Sequence, residues 1–295
     1  FGEISNTKMK LIHVFSIFAT VESFFDGQFK YLTDQGYEVV VVSSYAQNAE
    51  AVCKRNGVRF VPVNIPRSVS PMAIVKAVRK LCLLIREEKV DAVFGHTPVG
   101  ALCAMIAARV CGVKSRVYYR HGVIYTTMQG LKRTIFKAEE RFVASLATSV
   151  VNVSYSLSKL AVIDRLNCVS KQNVIGHGTC GGIDAYDVFN PQWIDNEKFM
   201  RLKANLGIGK PDIVFGFCGR ICNDKGIPEL VNAFNMFQKK HIDLKAKLLL
   251  IGIMDERDIL PQATRDAIKD SKDIVVSGWI KKSEIPYYYS MLDVF

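Results

Sequence analysis

Several common signatures are missing from this 295-residue sequence, and each absence argues against a class of protein. No apolar run reaches the roughly 18 residues needed to span a bilayer, and the best stretch, residues 99–113, is interrupted by Arg109. The eight cysteines form no Cys-x-x-Cys pair and have no histidine nearby at zinc-finger spacing. This pattern favours a reducing compartment and argues against a structural metal. The G-x-x-x-x-G-K-[ST] motif is also absent, so P-loop chemistry is not indicated.

A glycine pattern at Gly176, Gly178 and Gly181 matches the dinucleotide-binding fingerprint by letter. That fingerprint requires a strand, a tight turn and a helix in succession. The aspartates and the proline in residues 184–191 interrupt any helical pattern there. We therefore predict no nicotinamide cofactor at this place.

Positive charge is present in excess and is confined to one part of the chain. Residues 51–150 contain 17 Lys and Arg against 5 Asp and Glu, whereas the remaining residues contain 22 against 23. Such a basic field indicates an anionic partner: a membrane, a lipid phosphate or a nucleic acid. No nucleic-acid-binding motif accompanies the charge, so we expect no nucleic acid partner.

The basic residues fall in two clusters, which we interpret as a membrane or acceptor surface. One cluster lies on a predicted helix over residues 72–88, where basic side chains alternate with apolar ones, and the other lies further along the chain. The alternative is a core-facing helix whose basic face is simply solvated. The residues of the predicted surface are Lys76, Arg79, Lys80, Lys132 and Arg133.

Short apolar runs alternate with helical patterns along the whole chain, which predicts an α/β protein with parallel sheets covered by helices. A helix is predicted over residues 24–35, after a loop at residues 17–25. A glycine-rich stretch, residues 173–191, interrupts the alternation and predicts a hinge. We expect two doubly wound, Rossmann-like domains facing across a cleft, over residues 1–184 and 185–295.

Residues 213–235 organise the second half of the chain. An apolar strand ends at Gly219, a loop carries Arg220 and Lys225, and Gly226 opens an amphipathic helix. A helix N-terminus beside two cations is suited to a dense anion, and a diphosphate fits that description without a metal. The alternative is a plain strand–helix unit with two solvated basic residues in its loop.

This stretch resembles the donor-site motif of the large retaining glycosyltransferase family of GT-B fold, the glycosyltransferase family 4-like group of bacterial polysaccharide and lipopolysaccharide enzymes. The resemblance covers roughly residues 10–295. Further segments are similar to the family's His-x-Pro stretch, its strand ending in His, its interdomain linker and its last donor-site segment: His96-Thr97-Pro98, Tyr118-Tyr119-Arg120-His121-Gly122, Gly182-Ile183-Asp184 and residues 278–295.

The resemblance implies an enzyme that moves a sugar from a nucleoside-diphosphate sugar to a saccharide or lipid-linked acceptor. Gly219, Arg220 and Lys225 would bind the donor diphosphate, and His121 would be the catalytic residue that stabilises the reacting sugar. No cofactor or metal is expected, and the lack of an Asp-x-Asp pair agrees with metal-independent chemistry. The expected location is the cytoplasm, with peripheral attachment to the inner face of the membrane.

The sequence also departs from the family pattern. The family often has a glycine-rich loop after its first strand, whereas residues 17–25 contain no glycine. The family continues beyond the last residues present here with a loop carrying two glutamates, so we expect the second domain to be incomplete. Two alternatives therefore stay open: a truncated, inactive binding protein, and a nucleotide-sugar epimerase of the same fold.

Overall fold

The computed structural model describes residues 8–67, 70–256 and 258–295. The chain divides into two compact units, the first ending at Gly182 and the second running from Ile183 to Phe295. The predicted boundary, after residue 184, lies close to this division. Both units are built from parallel strands and helices, which confirms the predicted α/β class.

The first unit contains a seven-stranded parallel sheet whose strand order is β3-β2-β1-β4-β5-β6-β7. The order reverses between β1 and β4, which is the arrangement of a doubly wound nucleotide-binding fold. The strands are β1 Lys10–Val14, β2 Glu38–Ser43, β3 Arg59–Pro62, β4 Ala92–Gly95, β5 Ser115–Arg120, β6 Ser149–Asn152 and β7 Gln172–Asn173.

Helices cover both faces of this sheet because its central strands are apolar on both sides. Val40 and Val42 pack on one face against the longer helices, whereas Val39 and Val41 pack on the other face against the shorter ones. The helices of this unit are α1 Ala19–Phe24, α2 Gln28–Asp34, α3 Ala49–Arg55, α4 Pro71–Glu88, α5 Pro98–Val110, α6 Gly130–Leu146 and α7 Tyr155–Ile163.

The segment after β1 differs from the prediction. Residues 17–25 were expected to form a loop and residues 24–35 one helix, but two short helices, α1 and α2, occupy this region. Gly27 separates them because its φ of 88° lies in the left-handed region that favours glycine. Val21, Phe25 and Phe29 are buried against the sheet, and this burial stabilises the two short helices.

The second unit contains a three-stranded parallel sheet in the order β10-β9-β8. A parallel bridge joins Val294 to Phe215, so the last residues lie beside β8. The elements of this unit are α8 Asn196–Asn205, β8 Ile213–Cys218, α9 Ile227–Lys240, β9 Ala246–Ile251, α10 Gln262–Asp270, β10 Ile274–Val276 and α11 Ile285–Tyr289.

Candidate functional site

Three histidines meet at the carboxyl edge of the first sheet, where ligands bind in doubly wound folds. His13 lies in β1, while His96 and His121 directly follow β4 and β5. These three strands are neighbours in the sheet, and their register aligns Val14 with Gly95 and Gly95 with Tyr118. The parallel pairing therefore brings residues far apart in sequence into one row.

The three imidazole rings contact one another through their nitrogens. Nδ1 of His13 lies 3.0 Å from Nε2 of His96, and Nδ1 of His96 lies 3.2 Å from Nε2 of His121. The row continues to Cys180, whose Sγ lies 3.2 Å from Nδ1 of His121. Both ring nitrogens of His121, the predicted catalytic residue, therefore have a partner within the first unit.

Aromatic rings enclose the inner part of this row and shield it from solvent. His13 stacks on Phe94 with a centroid distance of 4.3 Å, and His96 stacks on Phe15 at the same distance. Burial lowers the pKa of His13 to about 3 and the pKa of His121 to about 4, because a charged imidazole loses its hydration there. The pKa of His96 is also lowered, first by burial and then by its histidine neighbours. All three rings are therefore neutral at physiological pH.

The glycine-rich segment around Cys180 packs closely against the rest of the first unit. A Cβ at Gly178 would lie 2.7 Å from the carbonyl oxygen of Val153, and one at Gly181 would lie 2.2 Å from that of Phe24. The residues directly after these glycines form no helix, as the sequence predicts. Burial raises the pKa of the Cys180 thiol to about 12, so the thiol stays protonated beside His121.

The second candidate region is the loop between β8 and α9. Gly219 directly follows β8, and its φ of 154° lies in the region that favours glycine. Its carbonyl oxygen faces Gly252, where an added Cβ would lie only 1.9 Å away. Gly226 caps the N-terminus of α9 in the left-handed conformation, with a φ of 72°. These glycines shape a tight loop at the carboxyl edge of the second sheet.

The two side chains predicted to bind the diphosphate, Arg220 and Lys225, differ in their surroundings. The Arg220 guanidinium forms an ion pair with Asp255 and lies 3.6 Å from a carboxylate oxygen of Asp224. The hydrogen bond to Asp255 raises the pKa of Arg220 further. Lys225 is exposed in the turn just before α9. An incoming diphosphate would add its charge beside two cations and the partial positive charge of the helix N-terminus.

A cysteine and two aspartates in the same region have their ligand atoms within 4.8 Å of one another: Cys222, Asp224 and Asp258. The Cys222 thiol lies 2.7 Å from an Asp224 carboxylate oxygen, and an Asp258 carboxylate accepts a 2.7 Å hydrogen bond from the Asp224 backbone N–H. Burial and the Asp224 carboxylate raise the pKa of the Cys222 thiol. The Asp224 carboxylate and the Asp224 backbone N–H thus supply partners for Cys222 and Asp258 within the protein.

The residues of the predicted basic surface lie on two helices. Lys76, Arg79 and Lys80 are exposed on α4, and Lys132 and Arg133 are exposed at the start of α6. Exposed apolar side chains accompany both sets: Met72, Val75 and Leu83 on α4, and Leu131 and Ile135 on α6. Across residues 8–67, 70–256 and 258–295, no helix combines the length and apolarity that crossing a membrane would demand.

Two members of the histidine row were not singled out from the sequence. His13 is a single polar residue in an apolar strand, and its sequence context is equally typical of an ordinary core histidine. Cys180 lies in a segment without regular structure, and only the fold brings it to His121. A usable signal did exist for His96 and His121, because each directly follows a predicted strand.

A family model described as "Glycosyl transferase 4-like" matches residues 12–154. The capsular polysaccharide biosynthesis glycosyltransferase CapM of Staphylococcus aureus is 26% identical over 287 residues, which span 97% of this chain and 72% of CapM. The alpha-monoglucosyldiacylglycerol synthase of Acholeplasma laidlawii is 25% identical over 272 residues, which span 88% of this chain and 66% of that enzyme.

A solved structure shares the fold. Anabaena Alr3699/HepE in complex with UDP-glucose superposes with a TM-score of 0.73 at 15% identity, covering 97% of this chain and 72% of that chain. The fold, the family match to the first unit and the curated relatives of nearly the whole chain agree with one another. Residues 12–154 match the glycosyl transferase 4-like family, and the chain is a glycosyltransferase of the GT-B fold.

Proposed function

We propose that this glycosyltransferase moves a sugar from a nucleoside-diphosphate sugar to a saccharide or lipid-linked acceptor during the synthesis of a cell-surface polysaccharide or glycolipid. The observation that carries the proposal is the loop at the carboxyl edge of β8, where Arg220 and Lys225 precede the N-terminus of α9. The likeness to a capsular polysaccharide enzyme and to a UDP-glucose complex supports this choice of reaction and donor.

The reaction would proceed with retention and without a metal ion. As the glycosidic bond to the donor breaks, negative charge grows on the departing diphosphate. Arg220 and Lys225, together with the unpaired N–H groups of α9, would stabilise that charge electrostatically. To reach the diphosphate, Arg220 would exchange at least part of its ion pairing with Asp255 and Asp224.

His121 would act on the sugar rather than on the diphosphate. Because burial keeps the pKa of this histidine near 4, the ring would meet the sugar as a neutral group. A neutral imidazole contributes one N–H donor and one lone pair, which suits it to orient a hydroxyl. Most of the rate enhancement would then come from positioning and charge stabilisation.

The basic, partly apolar surface of α4 and α6 would hold the enzyme at the cytoplasmic face of an anionic membrane. Lys132 and Arg133 are exposed beside Leu131 and Ile135, a combination suited to phospholipid headgroups and the acyl boundary. The relationship to a diacylglycerol-modifying enzyme supports an acceptor that resides in such a membrane.

Isothermal titration calorimetry with UDP, GDP and ADP, in the presence of a chelator, tests the donor site. We expect one of the diphosphates to bind the unmodified chain, and binding to disappear in the Arg220→Ala/Lys225→Ala variant. The control is Lys239→Ala/Lys240→Ala, two exposed lysines in the last turn of α9. Binding only after Mg²⁺ is added would contradict metal independence, and turnover of UDP-N-acetylglucosamine without an acceptor would favour an epimerase.

A further inference from the structure

The contacts of the histidine row form an unbranched chain of hydrogen bonds, which we call the histidine relay: His13, His96, His121 and Cys180. The relay begins in the core, where His13 and His96 are 2% and 0% exposed, and it ends at the half-buried His121 and Cys180. Its inner end is unsatisfied, because Nε2 of His13 meets no hydrogen-bond partner among the residues that the structure describes.

Neutral rings impose a single direction on this relay. A neutral imidazole carries one N–H and one lone pair, so a ring that donates through one nitrogen must accept through the other. His96 uses both nitrogens, toward His13 and toward His121. The two histidine–histidine bonds must therefore run the same way, either outward toward Cys180 or inward toward His13.

The unsatisfied end decides between the two directions. If the bonds run inward, His13 carries its proton on Nε2 and leaves an N–H buried without a partner. If they run outward, Nε2 of His13 carries no proton, and only its lone pair is left without a partner. Buried N–H groups without partners are the rarer and more costly case. The Cys180 thiol at the outer end does not distinguish the two directions, because a thiol is both a weak donor and a weak acceptor.

We propose that His13 and His96 are positioning residues that fix His121 as the tautomer with its proton on Nδ1. His13 donates through Nδ1 to His96, and His96 donates through Nδ1 to Nε2 of His121. His121 then presents an N–H donor at Nδ1, the nitrogen now facing Cys180. Resting on the proposed function, this inference assigns that N–H to an oxygen of the donor sugar, which replaces the thiol.

The glycine segment holds the outer end of the relay in place. The backbone N–H of Thr179 donates to the Val153 carbonyl at 2.6 Å, and neither Gly178 nor Gly181 has room for a side chain. Thr179 itself has a φ of 104°, an uncommon conformation for a residue with a Cβ. The segment thus seats Cys180 against His121, which gives its glycine pattern a packing role.

Nitrogen-15 NMR of the imidazoles, recorded on the whole labelled chain near neutral pH, reads the tautomer directly. The five histidines can be assigned by single substitutions. We expect His121 to carry its proton on Nδ1. A His96→Phe variant retains a ring beside Phe15 and Tyr119 but lacks the donor. In that variant the ratio of Nδ1–H to Nε2–H at His121 should fall about tenfold, the equivalent of one neutral hydrogen bond.

A matched variant separates positioning from simple packing. His96→Asn places an amide nitrogen near the position of Nδ1, so it should restore the donor to His121 and with it the original tautomer. Cys180→Ala should leave the tautomer unchanged, because the proton position is fixed from the His96 side. Cys180→Ala also keeps the core intact, so it remains informative if His96→Phe does not fold.

Three results would overturn the relay: a proton on Nε2 of His121 in the unmodified chain, an unchanged tautomer in a folded His96→Phe variant, or a switch in Cys180→Ala. The NMR experiment uses no sugar donor, so its outcome is separate from the calorimetric test of Arg220 and Lys225. A confirmed tautomer without diphosphate binding would retain the relay and reject the proposed function.

Discussion

Burial, rather than a neighbouring charge, is the first cause of the lowered pKa values of His13 and His96. In the unfolded chain a histidine has a pKa near its ordinary value of about 6.5. As the pH falls below that value, the unfolded chain binds protons at these histidines, whereas the folded chain does not. The free energy of unfolding must therefore decrease with falling pH, until the folded-state pKa values are reached.

The first prediction isolates His13. Each histidine that stays neutral in the folded chain should lower the free energy of unfolding by about 2 kcal/mol between neutral pH and about pH 5. Between neutral pH and about pH 5, a His13→Phe variant should therefore lose less stability than the unmodified chain by about that amount. Urea unfolding at both pH values measures the difference, with His177→Gln, at an exposed position, as the control. Equal losses in the two chains would show that His13 is not buried as a neutral ring.

A buried ion pair, Arg120 with Glu140, lies next to His121 in the chain. Arg120 is fully buried; its Nε donates to Glu140 at 3.0 Å and its Nη1 donates to Asn152 at 3.1 Å. The Tyr118 hydroxyl also contacts the Glu140 carboxylate at 3.0 Å. Burial raises the pKa of Glu140, and Arg120 opposes that shift. Arg120 is the last residue of β5, directly before His121, and Glu140 lies in α6.

The second prediction concerns this ion pair. Arg120→Met leaves the Glu140 carboxylate buried without its counter-ion and should destabilise the chain by about 3–5 kcal/mol. The Arg120→Met/Glu140→Met variant removes both charges and should recover part of that loss, as buried pairs often tolerate joint apolar replacement. Chemical denaturation compares the two variants. If the double variant were as unstable as the single one, lost packing rather than the stranded carboxylate would be the cause.

Among the secondary-structure elements, the ends of the strands carry the candidate sites, and glycines determine how closely those ends approach. The backbone N–H of Gly219 donates to the Ile251 carbonyl at 2.9 Å, and its own carbonyl occupies the space where a Cβ at Gly252 would stand. The loop that bears Arg220 therefore depends on a glycine that follows the next strand, 33 positions further along the chain (219 to 252).

The third prediction tests that dependence. Gly252→Ala would place a methyl group 1.9 Å from the Gly219 carbonyl oxygen, at a φ of 150° that disfavours alanine. The ends of β8 and β9 would have to separate, at a cost of about 1–3 kcal/mol, and affinity for the diphosphate of the proposed donor should fall. Calorimetry and thermal unfolding measure the two effects. Gly122→Ala, where a Cβ meets open space, is the control, and an equal effect there would reject the packing argument.

The sequence predicts the apolar strands to within about two residues, whereas polar and tightly turned segments are predicted less well. Glu38–Ser43 and Ala246–Ile251 have the bounds of their apolar runs, because continuous burial leaves little choice of where the chain is extended. The two-residue strand Gln172–Asn173 carries no apolar signal that would define its bounds. The helices α1 and α2 were mispredicted because their break depends on a single backbone conformation, at Gly27.

The sequence predicted one candidate site more completely than the other, for a related reason. Arg220 and Lys225 lie within one strand–loop–helix unit, so local pattern was sufficient to place both in one loop. In the histidine relay, directly bonded partners are up to 83 positions apart, and the relay depends on the order of β1, β4 and β5 in the sheet. Strand order is a property of the whole unit that no local pattern contains.

Across the whole molecule, the two units divide the charge unevenly. The basic excess within residues 51–150 belongs entirely to the first unit, and its two exposed clusters lie on α4 and on the start of α6. Not every basic residue of α6 is available, because Lys137 pairs with Asp164 at 2.5 Å and Arg141 donates to the Asp164 backbone carbonyl at 2.9 Å. Lys132 and Arg133 remain exposed beside apolar side chains.

The fourth prediction follows from that placement. The chain should bind vesicles that contain phosphatidylglycerol and should be released by salt, because the attraction is electrostatic. Each basic residue near an anionic surface contributes about 1 kcal/mol, so Lys132→Glu/Arg133→Glu should weaken binding by at least tenfold in a vesicle sedimentation assay. Lys76→Glu/Lys80→Glu tests the other surface, since a large effect there and a small one on α6 would assign the contact to α4.

The matched control lies on the second unit. Lys239→Glu/Lys240→Glu changes the net charge by the same amount as the α6 variant, but at exposed positions in the last turn of α9. If binding depends on a local surface, this variant should bind vesicles almost as the unmodified chain does. If instead both variants lose affinity equally, the attraction comes from net charge alone, and the surface on the first unit has no special part in it.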